Sequence, residues 1–336
     1  MFVEYLPVLF LLQVSSAIFV YYDSKKRKMP NPLPWIIGVA LFMPFFLPFY
    51  ILLRPRKGLF PCPNCLVENT FPIDHCKNCG VEITIERIKL TQMEWGLFDA
   101  ITILVLSFFV LPFSLAGIGD LFGILDKSFK NWGSLFFINL IGSASLLFLS
   151  IWFILKVCKR PLKDIGLTKE HLYRNILIGA LAIIPAFTLA YVTEEIVVKG
   201  LTSFLPSQAD VIMQLQDQEH HVAGDIWPEN ITDVRIIGAG FLMIILAPAA
   251  EEVMFRGMIY TAFRKRRSKW TAMVFTSLLF AFSHGQFIHF LAIFSTGLML
   301  VYLFERTKSL VPSIVLHFSM NLLFTILWYH NPSLYT

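Results

Sequence analysis

The chain has 336 residues, of which 56% are hydrophobic and 15% charged, with a mean hydropathy of +0.65. Soluble domains carry about 25% charged residues, so the composition excludes an ordinary soluble globular protein and predicts an all-α, polytopic bundle of membrane helices. The formal net charge of +5 is dispersed over short loops, where it reports topology and excludes a nucleic-acid partner.

The first apolar run, Leu6 to Tyr22, is about the minimum length to span a bilayer. Glu4 precedes it and no Lys or Arg does, so it reads as a retained segment and not a cleaved leader. Lys25 to Lys28 follow, and a second run, Trp35 to Leu53, carries Pro44 and Pro48. Two prolines four apart remove backbone donors and break or kink this run within the N-terminal membrane region, residues 1–57. Counting back from the later loops puts Lys25–Lys28 outside, so either 35–53 is a re-entrant hairpin broken at Pro44 and Pro48 or the basic-loop rule fails there.

Residues 58–90 are polar and hold Cys62-Pro63-Asn64-Cys65 and Cys76-Lys77-Asn78-Cys79-Gly80. Each C-x-x-C turn can present two thiolates to one ion, and two such turns complete a closed tetrahedral site. A structural zinc ion on Cys62, Cys65, Cys76 and Cys79 is therefore expected, in a small zinc-ribbon-like module of a reducing, cytoplasmic compartment. Such a short segment has little core, so metal binding would supply its folding energy. The module is a candidate surface for a protein partner.

Residues 91–336 form the main bundle. Apolar runs fall near 96–116, 134–157, 173–198, 235–263, 270–286, 287–304 and 310–329, which with the N-terminal runs gives about 8–9 segments. Basic residues at 156–163, 264–269 and 306–308 mark cytoplasmic loops, and the acidic stretch 200–233 suits the far side.

Within this bundle, Glu251, Glu252 and Arg256 interrupt an apolar run, and charges at membrane depth are usually functional. Read as a regular helix over 241–263, the spacing places Glu252 and Arg256 on one face as an ion pair, while Glu251 points about 100° away and stays available. Pro248 is expected to loosen the helix next to this site. Phe280 and His284 share a face near the end of the helix 270–284, and His317 and Asn321 share one on the last helix. These groups come from three helices and meet only if the bundle encloses a common polar pocket. Each alone has a plainer explanation. A buried Glu–Arg pair is usually structural, and a lone His, such as His289, often only packs or hydrogen-bonds. Ser295, Glu194, Glu195 and Lys199 are placed in that plainer class.

The ordered set Glu-Glu-x-x-x-Arg, Phe-x-x-x-His and His-x-x-x-Asn resembles the CPBP (CAAX protease and bacteriocin-processing) intramembrane endopeptidases, which include the Ras-converting CAAX endopeptidase of the endoplasmic reticulum. The resemblance covers roughly 236–330, with Asp164-Ile165-Gly166-Leu167 similar to a segment often found ahead of that core. It implies a multi-pass protein of a bacterial or archaeal cell membrane, with an internal cavity open to membrane and cytosol. It also implies peptide-bond hydrolysis by water activated by Glu251 with His284, and oxyanion stabilisation by His317 and Asn321. Glu252, Arg256 and Phe280 would support them. The substrate class implied is a membrane-associated peptide or protein, with a prenylated CAAX-like C-terminus as one form.

Three alternatives stand beside this. Glu251, His284 and His317 are a two-His, one-carboxylate set for a catalytic zinc, making a metalloendopeptidase. The pocket could serve binding alone, as in a membrane scaffold or a bacteriocin self-immunity protein. A proton-relaying transporter lacks the expected repeats and paired broken helices.

Overall fold

A computed structural model describes residues 2–26, 32–33, 35–40, 47, 50, 59–61, 68–70, 75–82, 95–112, 114–115, 132–224, 233–265 and 267–330. The chain is mostly helical and divides into two compact units, Met1–Glu94 and Trp95–Thr336.

In the first unit, α1 (Phe2–Lys26) is a long apolar helix with Lys25 and Lys26 in its last turn, where cations complement the helix dipole. The buried Tyr50 donates its hydroxyl to Asp23 Oδ2 at 2.9 Å and meets the Trp35 ring edge-on. Most of 35–53, the candidate re-entrant hairpin, lies outside the described residues. Strands β1 (Leu59–Pro61) and β2 (Glu68–Thr70) pair antiparallel, with Phe60 opposite Asn69. Cys62 and Cys65 lie between them in the chain, outside the described residues. The second C-x-x-C closes a tight turn of its own. Cys76 N–H donates to the Val81 carbonyl and Gly80 N–H to the Cys76 carbonyl, both at 2.9 Å, and His75 bridges Glu82. Gly80 takes φ +69°, which favours glycine, and Asn78 N–H points at Cys76 Sγ, 3.4 Å away.

The second unit contains α2 (Leu97–Val105), α3 (Trp132–Val157), α4 (Leu172–Leu181), α5 (Ile183–Phe204), α6 (Ala209–Gly224), α7 (Arg235–Arg264), α8 (Lys269–Ser283), α9 (Phe290–Thr307) and α10 (Val311–His330). Among the described residues four helical stretches are long and apolar enough to cross a membrane: α3, the α4–α5 stretch Leu172–Phe204, α7 and α9. Val311–Leu327 of α10 is a shorter apolar helix. Large apolar side chains such as Leu181, Ile184 and Ile196 face outward along α4 and α5, as lipid-facing surfaces do. These features define an integral membrane protein. A depression of about 580 Å³ on α5, lined by Tyr191, Val192, Glu195, Ile196, Lys199, Gly200 and Ser203, holds none of the motif residues.

Helix α7 is the axis of this unit. Helices α2, α3, α8, α9 and α10 pack around it, and every residue from Val253 to Tyr260 is buried. The regular winding expected over 241–263 gives way to wide π turns over Phe241–Leu246 and Val253–Tyr260. Wide turns displace the usual i→i−4 bonds, so carbonyls need other donors. Ala247 N–H reaches back to the Leu242 carbonyl, so the next donor in that pattern, for Met243, would be residue 248. That residue is Pro248, which has no N–H. Asn321 Nδ2 donates to the Met243 carbonyl instead, at 2.7 Å. Likewise Thr261 Oγ1 donates to the Arg256 carbonyl and Trp95 Nε1 to the Met258 carbonyl.

The segment 164–167 sits against the same helix. Gly166 adopts φ +83°, and a Cβ there would lie 2.4 Å from the Phe304 ring. Its carbonyl accepts from Leu310 N–H at 2.9 Å, tying the turn to the start of α10. Ile165 is buried and abuts Gly257, where an added Cβ would meet the Ile165 Cβ and carbonyl at 3.2 Å.

Candidate active site

The two adjacent acids of α7 take different surroundings. Glu252 and Arg256 are both wholly buried, with Arg256 Nη1 donating to Glu252 Oε1 at 2.7 Å. Arg256 Nη2 also donates to the Gly297 carbonyl of α9 at 3.3 Å. The approach is close because Gly297 has no side chain: a Cβ there would stand 3.2 Å from Ser277 Cβ and 3.3 Å from Phe280 Cδ1. A charge taken out of water needs such neutralising and hydrogen-bonding partners, or its burial costs several kcal/mol, on the order of 3–5 when one partner is lost.

The Glu252 oxygen that holds Arg256 also holds His317. His317 Nδ1 lies 2.9 Å from Glu252 Oε1, and its Nε2 lies 3.8 Å from Glu251 Oε2. An ionised carboxylate only accepts, so Nδ1 carries the hydrogen and Nε2 is the nitrogen turned to Glu251. Glu251 Oε2 is buried and makes no hydrogen bond among the described residues. The separation of the acids is thus that Glu252 is engaged twice, while Glu251 faces an imidazole across a gap.

His284 follows the last residue of α8, where the helix closes and Gly285 turns to φ +67°. Its Nδ1 lies 2.7 Å from the Phe280 carbonyl. A carbonyl also only accepts, so His284 Nε2 carries the lone pair of the neutral ring. His284 is exposed as a residue, unlike His317, which is buried.

Phe280 is the common neighbour of these groups. Its ring carries the Arg256 guanidinium at 4.4 Å and meets His284 at 4.6 Å and His317 at 5.7 Å, both edge-on. It also packs edge-on against Phe255 at 5.2 Å. The structure therefore brings Glu251, Glu252, Arg256, Phe280 and His317 into one cluster, with His284 at its rim. Asn321, one turn beyond His317, spends one amide hydrogen on Met243 and retains another.

Among the described residues no three His, Cys, Asp or Glu side chains come together as a compact ligand set. Cys62 and Cys65 are outside that comparison.

Sequence reasoning missed two parts of the site. The Gly297 carbonyl is a backbone group and leaves no mark in the sequence. Glu219 of α6 belongs to the acidic stretch 200–233, from which only a far-side location is expected. Its carboxylate accepts from the N–H groups of Phe287, Ile288 and His289 at 2.6–3.1 Å, just beyond His284.

The fold and the cluster define an intramembrane polar site in an integral membrane protein. Residues 233–323 match the family described as Type II CAAX prenyl endopeptidase Rce1-like, and that stretch holds all seven motif residues, which supports the CAAX protease family. The chain is also 35% identical over 80 residues to an uncharacterized 24.3 kDa protein of Escherichia coli, covering 22% of this chain and 37% of that protein. The chain thus spans little more than a third of that curated relative's length. No solved structure matches the chain.

Proposed function

We propose that this protein is an intramembrane endopeptidase that hydrolyses a membrane-associated peptide by activating water with Glu251. The observation that carries this reading is the Glu251–His317 pair: a buried carboxylate oxygen without a hydrogen bond, 3.8 Å from an imidazole nitrogen whose other nitrogen rests on Glu252. Glu251 takes a proton from water, His284 Nε2 helps to orient that water, and the hydroxide attacks the scissile carbonyl. As negative charge develops on the carbonyl oxygen, His317, which turns Nε2 toward the site, and Asn321, with its remaining amide hydrogen, stabilise it. Glu251 then returns its proton to the leaving amine. Glu252 and Arg256 hold His317 and the helix, and Phe280 backs the rings. A prenylated CAAX-like peptide is the first substrate to test, given the family similarity.

The test is Glu251→Gln in proteoliposomes, assayed on a fluorogenic farnesylated peptide. Loss of a general base costs about 10²–10⁴-fold in rate. Unchanged cleavage would refute the mechanism. A wild-type protein that binds the peptide without cutting it would instead indicate the scaffold or self-immunity role.

One observation favours a zinc-dependent version as second reading. Both imidazoles engage acceptors through Nδ1, which leaves Nε2 lone pairs in the manner of metal-ligating histidines. Glu251, His284 and His317 are the residues that would hold the ion, but they do not come together as a compact ligand set in this structure, and no step above passes through it. A separate, structural zinc on Cys62, Cys65, Cys76 and Cys79 is supported by the second pair's tight turn and by the paired strands β1 and β2 that flank the first in the chain. On this reading the module is cytoplasmic and available to a protein partner.

A further inference from the structure

His284 ends a helix and sits on an exposed turn, so something other than apolar burial must fix it. Ser283, His284, Gly285 and Phe287 are all exposed. Gly285, at φ +67°, would let the turn take several paths. What closes the turn is α6. Glu219 Oε1 accepts from Phe287 N–H at 2.6 Å and Ile288 N–H at 3.1 Å. Glu219 Oε2 accepts from Ile288 N–H at 2.9 Å and His289 N–H at 3.1 Å. The Glu219 carbonyl accepts from Gln286 Nε2 at 3.0 Å. Four consecutive residues after Gly285 are thus held by one residue of a helix more than sixty positions upstream.

The contact is strong for identifiable reasons. The N–H groups are those of the turn that leads into α9, ending at its N-cap His289, and the dipole of α9 favours an anion at that end. Hydrogen bonds from N–H to a carboxylate are charge-assisted, roughly twice as strong as neutral ones. Helix α6 is itself tied to α5, where Gln216 Nε2 donates to Glu194 Oε1 at 2.9 Å. Glu194 in turn lies 3.4 Å from His289 Nδ1, so α5, α6 and the start of α9 form one continuous brace.

We infer that Glu219 is a positioning residue for His284: by clamping the backbone of 286–289 it fixes the turn that presents the imidazole to the site. This rests on the endopeptidase reading for its effect on rate, but the clamp and the ring orientation can be read without activity.

The experiment compares Glu219→Gln, Glu219→Ala and Glu219→Asp in the full chain, with Glu195→Gln on the exposed side of α5 as control. Amide exchange at Phe287, Ile288 and His289 should accelerate in Glu219→Ala and Glu219→Gln. The His284 ring nitrogen resonances should move from a single Nδ1–H tautomer toward a mixture. With the farnesylated peptide, kcat should fall by about 10–100-fold, the cost of a small misplacement, with KM changed less than about twofold. Glu219→Asp should recover part of all three signals. Unaltered exchange, or faster exchange with an unaltered His284 ring signal, would overturn the inference. If the wild-type protein cleaves nothing, the endopeptidase reading fails, while exchange and ring signals still decide the positioning role. Unchanged kcat in an active protein with faster exchange also overturns it.

Discussion

His317 and Glu252 lie 2.9 Å apart, Nδ1 to Oε1, although 65 positions separate them in the chain. Because the same oxygen takes Arg256 at 2.7 Å, Glu252 is the fixed point of the site and Glu251 is left to face His317 Nε2.

The two acids should therefore fail differently. Glu252→Gln leaves Arg256 and His317 without their carboxylate in a dry interior. Breaking such a buried pair costs about 3–5 kcal/mol. We expect a large drop in thermal unfolding temperature in detergent for Glu252→Gln, and little change for Glu251→Gln, whose buried oxygen makes no hydrogen bond. Equal destabilisation by both would contradict the assignment of roles.

Phe280 should matter beyond its volume. The Arg256 guanidinium lies 4.4 Å from its ring centroid in a water-free setting, where such contacts reach about 2 kcal/mol. Phe280→Leu keeps an apolar side chain but loses that contact and both ring contacts to the histidines. It should destabilise by about 2 kcal/mol. Phe282→Leu, at an exposed position two residues on, should stay within about 0.5 kcal/mol. Chemical unfolding of the two variants side by side decides this.

The contrast between Glu252 and Glu251 was legible in the sequence because a four-residue spacing survives a change in winding: whether the turn is α or π, Glu252 and Arg256 remain neighbours. The π turns themselves were not legible. They depend on Trp95, Thr261 and Asn321 supplying donors to displaced carbonyls, and two of those residues lie far from α7 in the chain. Pro248 gave a partial hint, since its missing N–H is what Asn321 makes good. The partnership of His317 with Glu252 was also hidden, because periodicity assigns faces and not which acid a distant helix meets. The positions of Gly166, Gly257 and Gly297 were visible only as glycines, and it takes the neighbours Phe304, Ile165 and Ser277 to give them a reason.

Asn321 should have a structural duty separable from any catalytic one. Asn321→Leu leaves the Met243 carbonyl without its donor, an omission worth about 1–3 kcal/mol. Pro248→Ala restores a backbone N–H at the position that a π-wound turn would use. The double variant should therefore recover part of the stability lost by Asn321→Leu, giving a measurable coupling in a double-mutant cycle. Strict additivity of the two would show that the bond to Met243 carries no weight.

Packing of the 164–167 segment on α7 sets another expectation. An Ala at Gly257 would bring Cβ to 3.2 Å from the Ile165 Cβ and carbonyl. Ile165→Ala keeps both of these atoms, the Cβ and the backbone carbonyl, so shortening Ile165 does not relieve the conflict. Gly257→Ala should cost about 1–3 kcal/mol, and adding Ile165→Ala should not restore wild-type stability. Gly166→Ala should be worse, combining a left-handed φ with a 2.4 Å approach to Phe304. Thermal unfolding of the three variants tests the order, and a stable Gly166→Ala would contradict it.

Zinc analysis separates the two metal questions at once. If the four cysteines hold a structural ion, purified protein should contain about one zinc per chain, and Cys62→Ser or Cys76→Ser should release it, because a closed site of four thiolates tolerates no missing ligand. The Cys76 turn should also loosen, since Gly80 and Asn78 N–H groups close it around Cys76. The main unit folds around its own buried core from Trp95 onward, so peptide cleavage should persist in the zinc-free cysteine variant if Glu251 activates water unaided. Zinc that stays bound after the cysteines are replaced, and is lost on His284→Ala together with cleavage, would instead assign the ion to Glu251, His284 and His317. Elemental analysis and cleavage measured on the same preparations distinguish these outcomes, because a structural and a catalytic zinc predict opposite pairings of metal content and rate.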